Sequence, residues 1–154
     1  MKKKIWVYTS LIVLLDQISK ILVSNYLNKE LTIIPNFFSI TKVHNTGGAW
    51  GVFGGNSLIL ACISLIVLLA LISIIVKDKK ITKIDTLFYS FILGGILGNF
   101  IDRIIRTYVI DFLSFNIFGY DFPVFNIADI FIVVGVFIYV LVTLKEDKNG
   151  SRSK

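Results

Sequence analysis

The chain has 154 residues, of which 55% are hydrophobic and 17% charged, and its mean hydropathy is +0.80. A soluble domain of this length cannot hide so many apolar side chains from water, and a disordered chain does not contain so many. The composition therefore indicates an integral membrane protein, with residues 1–154 forming a single domain.

Four apolar stretches are long enough to cross about 30 Å of hydrocarbon as helices. The sequence predicts these helices at residues 5–27, 57–76, 84–104 and 127–144. The first stretch follows three lysines, as in a cleaved signal peptide, but no small-x-small cleavage site follows it and Asp16 interrupts it. We therefore expect that the first helix is retained in the mature protein and is one of four transmembrane helices.

Basic residues are distributed unevenly along the chain. One side of the predicted membrane carries 11 of the 16 Lys and Arg residues: Lys2, Lys3, Lys4, Lys77, Lys79, Lys80, Lys83, Lys145, Lys148, Arg152 and Lys154. Cytoplasmic loops of membrane proteins are enriched in Lys and Arg, so both termini are predicted to be cytoplasmic. The same rule accounts for the net charge of +6 without a nucleic-acid partner.

The two segments predicted to face outward, residues 28–56 and 105–126, have the composition of short strands. Leu31 to Ile34, Phe37 to Val43 and Val109 to Phe118 are rich in β-branched and aromatic residues, and Gly119 is placed to form a turn. Glycines cluster between Gly47 and Gly55, where the chain must bend tightly or pack closely.

The sequence offers few metal ligands. Cys62 is the only cysteine and His44 the only histidine, so a cysteine-based zinc site and a two-histidine motif are both excluded. We expect no metal and no cofactor.

Ionisable residues inside a membrane are costly, so each suggests a function. Asp16 and Lys20 lie four residues apart on one face of the first helix, where they can form a buried ion pair that fixes helix packing. Ser24 lies one turn further on, which leaves a serine–lysine protease open as an alternative.

A second polar face lies at the end of the third helix, where Asn99, Asp102 and Arg103 follow a glycine cluster. Asp102 can pair with Arg103 or Arg106 as an interfacial ion pair. Asn99 needs hydrogen-bond partners if its amide is buried, which makes it a candidate scaffold for the chemistry.

Two further aspartates are predicted to lie at the same outer boundary. Asp111 sits in an apolar run, and Asp129 opens the fourth helix from the same side. Two close carboxylates in a low-dielectric site cannot both ionise easily, so one keeps a proton. The ionised carboxylate can activate a water while the protonated one polarises a carbonyl, as in aspartic proteases. A helix-capping aspartate beside an unrelated loop aspartate remains the simpler alternative.

Two further functions stay open on these residues. A small proton-coupled transporter could use Asp16, Asp102 and Asp129, although the second helix is fully apolar and the polar residues crowd one side. A non-enzymatic assembly factor would tolerate asparagine at both Asp111 and Asp129.

Five segments taken in order resemble the motifs of the bacterial lipoprotein signal peptidases, also called signal peptidase II. They are residues 16–20 (DQISK), 45–51 (NTGGAWG), 94–103 (GGILGNFIDR), 109–112 (VIDF) and 125–129 (FNIAD). The clearest departure is Gly48, where the family usually has alanine.

The resemblance implies four transmembrane helices with a small extracytoplasmic β-cradle and a short surface helix. It also implies an aspartic endopeptidase of the bacterial plasma membrane that cleaves prolipoproteins before a diacylglyceryl-modified cysteine, near the outer face. Asp111 and Asp129 would be the catalytic dyad. The supporting residues would be Asn45, Asn99, Arg103 and Asn126, with Asp16 and Lys20 holding the architecture.

Besides its prolipoprotein substrates, the resemblance implies contact with membrane lipid and inhibition by globomycin-type cyclic peptides. We expect the protein to act as a monomer.

Overall fold

The computed structural model describes residues 1–48 and 54–148, with the backbone alone for residues 146–148. Within these ranges the chain forms long helices joined by the short strands of one small sheet. In chain order the elements are α1 (Lys2–Tyr26), β1 (Leu31–Ile34), β2 (Phe38–Asn45), α2 (Ser57–Lys77), α3 (Lys83–Arg106), β3 (Val109–Ile117), β4 (Tyr120–Asp121) and α4 (Ile127–Lys148).

All four helices are long and apolar enough to cross a membrane, and α2 is the most hydrophobic of them. The central helix of the bundle is α3, which packs against α1, α2 and α4. Half of the α3 span is buried inside the protein, against 11% to 28% for the other three spans. The outer helices expose large aliphatic side chains such as Leu58, Ile66 and Val133, as expected of surfaces that face lipid.

Glycines on α3 let the neighbouring helices approach closely. A β-carbon at Gly94 would lie 2.7 Å from Cγ2 of Ile12 on α1, and one at Gly98 would lie 2.6 Å from Oδ2 of Asp16. A β-carbon at Gly95 would collide with the backbone carbonyl of Ala128 on α4. Small residues in membrane helices serve this purpose because they allow backbone-to-backbone packing.

The strands form one antiparallel arrangement in the order β1-β2-β3-β4 at one end of the bundle, here called the sheet end. In the chain, β1 and β2 lie between α1 and α2, and β3 and β4 lie between α3 and α4. The register between β2 and β3 shifts between Ile40 and Val43, after which Val43 pairs with Asp111 and Asn45 with Val109.

The four predicted spanning helices and the small antiparallel sheet are confirmed. Each helix begins and ends within four residues of its expected bounds; the largest difference is at α4, which continues to Lys148 because nothing in the sequence stops it at Leu144. The sequence does not predict β4, because two residues are too few to show the alternation of apolar and polar side chains that is typical of a strand. Among the described residues there is no short surface helix, and Ala49, Trp50 and Gly51 of the glycine-rich motif lie outside them.

Candidate active site

Asp111 lies on β3 and is held by two side-chain amides. Asn45 of β2 donates from Nδ2 to Asp111 Oδ2 at 2.8 Å, and Asn126 donates from Nδ2 to Asp111 Oδ1 at 2.6 Å. The backbone N–H of Gly47 donates to Oδ1 of Asn45 at 2.9 Å, which fixes the direction of that amide. The Asp111 side chain is thus oriented at both oxygens while being almost fully buried.

Asp129 occupies the first turn of α4, where it caps the helix together with Asn126. The backbone N–H of Asp129 donates to Asn126 Oδ1 at 3.0 Å, and the backbone N–H of Asn126 donates to Asp129 Oδ2 at 3.1 Å. This reciprocal pair satisfies N–H groups that the start of a helix leaves free. The positive end of the helix dipole also favours a negative charge at this position.

A short backbone ladder brings the two aspartates to one place. The N–H of Leu113 donates to the carbonyl of Phe125 at 2.8 Å, and the N–H of Phe125 returns a bond to the carbonyl of Leu113 at 3.1 Å. This pairing places the residue after Phe125, Asn126, beside Asp111 while it still caps Asp129. Both carboxylates line a single cleft with a volume of about 460 Å3.

Asn99 of α3 links this pair to a buried cation. Its Nδ2 donates to Asp129 Oδ1 at 2.7 Å, and its Oδ1 accepts from Lys20 Nζ at 2.9 Å and from Asn126 Nδ2 at 3.1 Å. An ammonium group can only donate, so Lys20 requires the oxygen of Asn99 to face it. The N–H2 group of Asn99 is therefore directed at Asp129.

Lys20 itself is completely buried between two carboxylates. Its Nζ lies 2.8 Å from Asp16 Oδ2 and 3.0 Å from Asp102 Oδ2, and all three side chains are inaccessible to solvent. Asp16 also accepts from the backbone N–H of Ala128 at 3.0 Å, and Asp102 accepts from that of Ile110 at 3.2 Å. The ion network thereby ties α1 and α3 to the two chain segments that carry the aspartates.

Gln17 completes the network, although we predicted no role for it from the sequence. Its Nε2 lies 3.1 Å from Asp16 Oδ2, from Asp102 Oδ1 and from the carbonyl of Gly98. The side chain of Arg106 pairs with Asp102 at 2.5 Å. A polar amide inside an apolar helix was the available signal for Gln17, since such a group needs partners when buried.

Arg103 lines the cleft beside both aspartates. It makes two long bonds, from Nη2 to the carbonyl of Gly47 at 3.3 Å and from Nη1 to the carbonyl of Asn99 at 3.4 Å. Its Nε is buried without a partner among the described residues. The guanidinium thus retains donor capacity at the cleft, and of the two arginines the sequence offered to Asp102, it is Arg106 that pairs with it.

The electrostatic environment of Asp111 favours its protonated form. Burial raises the pKa of the Asp111 carboxyl from 3.8 to about 6, and the nearby charge of Asp129 acts in the same direction. The hydrogen bonds from Asn45 and Asn126 oppose this shift but do not cancel it. The raised pKa favours a proton on Asp111 at higher pH than an ordinary aspartate would hold one.

Beyond the polar residues, the cleft is apolar. Its wall continues along the loop before α4 and the outer face of that helix, through Phe122, Pro123, Val124, Phe125, Ile130, Ile132, Val133 and Val134. Val133 is two-thirds exposed, so this wall continues into the surface that faces lipid. A substrate with an acyl chain can therefore contact apolar side chains next to the carboxylates.

Lys20 and His44, the other two residues considered for catalysis, have their own partners. Lys20 uses its three N–H groups on Asp16, Asn99 and Asp102 and has no free lone pair with which to activate Ser24. His44 is exposed and stacks on Tyr108, with ring centroids 4.1 Å apart. Among residues 1–48 and 54–148, no group of three His, Cys, Asp or Glu side chains is placed to hold a metal ion.

The sequence is similar to known proteases over nearly its whole length. A family model described as Signal peptidase (SPase) II matches residues 8–145. A lipoprotein signal peptidase of Staphylococcus haemolyticus (strain JCSC1435) is 37% identical over 157 residues, covering 97% of this chain and 99% of that protein. The lipoprotein signal peptidase of Staphylococcus aureus (strain JH9) is 37% identical over 156 residues, covering 97% and 96%.

Solved structures with this fold are also known. One bacterial membrane enzyme, determined by the in meso method at 2.3 Å resolution, superposes with a TM-score of 0.87 and 34% identity, covering 97% of this chain and 93% of that one. A second, at 1.9 Å resolution, gives a TM-score of 0.82 and 35% identity, with 92% and 93% covered.

Proposed function

This chain belongs to the signal peptidase II family of lipoprotein signal peptidases, and we propose that Asp111 and Asp129 are its catalytic pair. The family membership makes the protein a multi-pass membrane protease that processes prolipoproteins. The observation that supports the pair is the placement of both carboxylates on one cleft, with Asn126 bonded to each of them.

In the proposed reaction, Asp129 acts as the general base and Asp111 carries the proton. Asp129 accepts N–H bonds at both oxygens and lies at a helix N-terminus, and both features favour its ionised form. It removes a proton from a water that attacks the scissile carbonyl, while Asp111 donates its proton to the carbonyl oxygen. Collapse of the tetrahedral intermediate breaks the C–N bond as a proton passes to the leaving amine.

The other polar residues of the site hold this pair in place. Asn45 and Asn126 orient Asp111, and Asn99 orients Asp129. The terminal N–H groups of Arg103, which lines the cleft, can donate to the substrate backbone. Asp16 and Lys20 support the site indirectly. Lys20 orients Asn99, and Asp16 accepts a hydrogen bond from the backbone N–H of Ala128, next to Asp129.

The scissile bond is proposed to precede a diacylglyceryl-modified cysteine. The apolar wall from Phe122 to Val134 lies beside the aspartates and continues onto the surface of α4. Acyl chains that remain in the bilayer can lie along this wall while the scissile peptide bond lies beside the two carboxylates. Globomycin-type cyclic peptides would inhibit by occupying the same cleft, and one chain contains every residue of the proposed site, consistent with a monomer.

We place the sheet end of the bundle at the outer face of the bacterial plasma membrane and both termini in the cytoplasm. The distribution of charge supports this orientation, because nine lysines of the described residues belong to the opposite end: Lys2, Lys3, Lys4, Lys77, Lys79, Lys80, Lys83, Lys145 and Lys148. The cleft would then open where a secreted prolipoprotein emerges with its lipid still in the membrane.

Purified protein should cleave a diacylglyceryl-modified prolipoprotein and leave the same precursor intact when it lacks the lipid. The apolar wall of the cleft would contact mainly the lipid of the substrate. The unmodified precursor lacks this contact and is therefore the matched control. Cleavage is read from the mobility shift of the product on a gel. The Ser24→Ala variant is expected to cleave as fast as the wild type, and a loss of activity in that variant would restore the serine–lysine alternative.

The rate of cleavage should depend on pH in a bell-shaped manner. Burial raises the pKa of Asp111 to about 6, so above this value the pair loses the proton that polarises the carbonyl. At low pH the pair carries a second proton, and no carboxylate is left to act as the base. Both apparent pKa values of kcat/KM belong to the pair. A rate that is constant from acid to alkaline pH would argue against two coupled carboxylates.

A further inference from the structure

The two hairpins of the sheet end in neighbouring turns that expose apolar side chains. We call Phe37, Ile117, Phe118 and Tyr120 the tip patch. Phe118 is fully exposed, and the other three are about half exposed. The backbone N–H of Asn116 donates to the carbonyl of Phe37 at 2.9 Å, so the turns of both hairpins form one surface.

The turn at Phe118 is poorly suited to an aqueous hairpin. Ile117 pairs with Tyr120, which leaves Phe118 and Gly119 as a two-residue turn with φ of 53° and 87°. Turns with two positive φ angles favour Asn-Gly, because a bulky side chain is strained in the left-handed region. A phenylalanine here is strained and, in water, also exposes its whole ring. Neither property stabilises the turn in water.

Several polar groups of the same hairpin are paired within it. The N–H of Gly119 donates to Asn116 Oδ1 at 2.9 Å, and Asn116 Nδ2 donates to Asp121 Oδ1 at 2.7 Å. A turn whose polar groups are paired internally can enter a region of low water content at little cost, whereas unpaired groups would prevent this.

Short connections also tether the hairpin that carries Ile117, Phe118 and Tyr120 to two spanning helices. Only two residues separate the end of α3 at Arg106 from the start of β3, and five separate Asp121 from the start of α4 at Ile127. Five residues span about 20 Å at most. Both strands of the hairpin are therefore tethered to helix ends that reach the bilayer surface.

We propose that the tip patch inserts into the lipid leaflet at the sheet end and anchors the sheet to the membrane surface. Apolar and aromatic side chains are favoured at this level of a bilayer, where their rings leave water. The existence of this anchor does not depend on which residues are catalytic.

A row of aromatic rings connects the anchor to the cleft. Phe37 packs against Phe115 with centroids 5.6 Å apart, Phe115 stacks on Phe125 at 5.7 Å, and Phe125 contacts Phe122 at 5.9 Å. The last two rings belong to the wall of the cleft. Insertion of the tip patch would therefore set the height of the cleft wall relative to the lipid.

The test measures the depth of a spin label at the tip patch in lipid vesicles. Cys62 is exposed, so the label is placed on Phe118→Cys in a Cys62→Ser background, at a low ratio of protein to lipid. The matched control is a label on Asp121→Cys, an exposed polar position of the same hairpin. Accessibility to oxygen, which concentrates in lipid, is compared with accessibility to a water-soluble nickel chelate.

The label at position 118 is expected to be reached by oxygen and shielded from nickel, whereas the label at position 121 is reached by nickel. Equal exposure of both positions to nickel would overturn the proposal. Dipolar broadening between labels at position 118 would also overturn it, because it would identify a second copy of the chain as the occupant of the patch.

Discussion

Replacing Asp129 by asparagine is expected to lower the rate of cleavage by at least about 10³-fold, which is within the range attributed to a positioned general base. An amide has no basic oxygen with which to take the proton from water. Asp111→Asn should cause a loss of similar size, because the amide cannot donate a carboxylic proton to the carbonyl oxygen. The measurement is the initial rate on the lipidated precursor at the optimal pH.

Two controls separate lost chemistry from lost structure. Asp121→Asn changes an exposed aspartate of β4 that does not line the cleft, and its rate should equal that of the wild type. The unfolding temperature of Asp129→Asn should fall only slightly, since the amide oxygen can still accept one of the two N–H bonds that the carboxylate receives, from Asn99 Nδ2 or from the backbone of Asn126. Cleavage that survives in both Asp111→Asn and Asp129→Asn would show that neither carboxylate carries the reaction.

Replacing Lys20 by methionine should destabilise the folded protein by about 3–5 kcal/mol, the cost typical of removing one partner from a buried ion pair. Methionine fills a similar volume but leaves both carboxylates buried, Asp102 paired with Arg106 and Asp16 without a cation among the described residues. It also removes the donor that orients Asn99. The expected result is a large drop in the unfolding midpoint in detergent micelles, accompanied by loss of cleavage.

The matched control is Lys42→Met, which removes an exposed lysine whose Nζ donates to the carbonyl of Ser24 at 3.2 Å. This variant should unfold at the temperature of the wild type. Adding Asp16→Asn to Lys20→Met removes the buried carboxylate that was left without a cation and should recover part of the lost stability. An unchanged midpoint in Lys20→Met would mean that the ion network contributes nothing to the fold.

The spanning helices could be predicted because a bilayer imposes simple requirements. Each span needs about 20 apolar residues and internal hydrogen bonds for its whole backbone, so hydropathy and length identify α1 to α4. The expected bounds differ from the observed ones where charged residues such as Lys2 and Lys148 continue a helix beyond the hydrocarbon. Charge marks the edge of the membrane, but it does not end a helix.

The ends and the register of the strands could not be predicted from local sequence patterns alone. β1 was expected at Leu31 to Ile34 and is found there, whereas β2 extends to Asn45. The shift in register between Ile40 and Val43 depends on pairing with β3, which no single segment contains. Because of that shift, Asn45 reaches Asp111, so a site contact depends on a feature that exists only between strands.

The sequence by itself determined the four spans, the membrane class and the small set of polar residues in a chain that otherwise avoids them. These follow from transfer free energies that act on each residue separately. Tertiary structure alone decided that Lys20 pairs with Asp102 as well as Asp16, that Gln17 joins them, and that Asn126 contacts both aspartates. Such contacts depend on how helices and strands distant in sequence are placed against each other, and glycines on α3 permit that close approach.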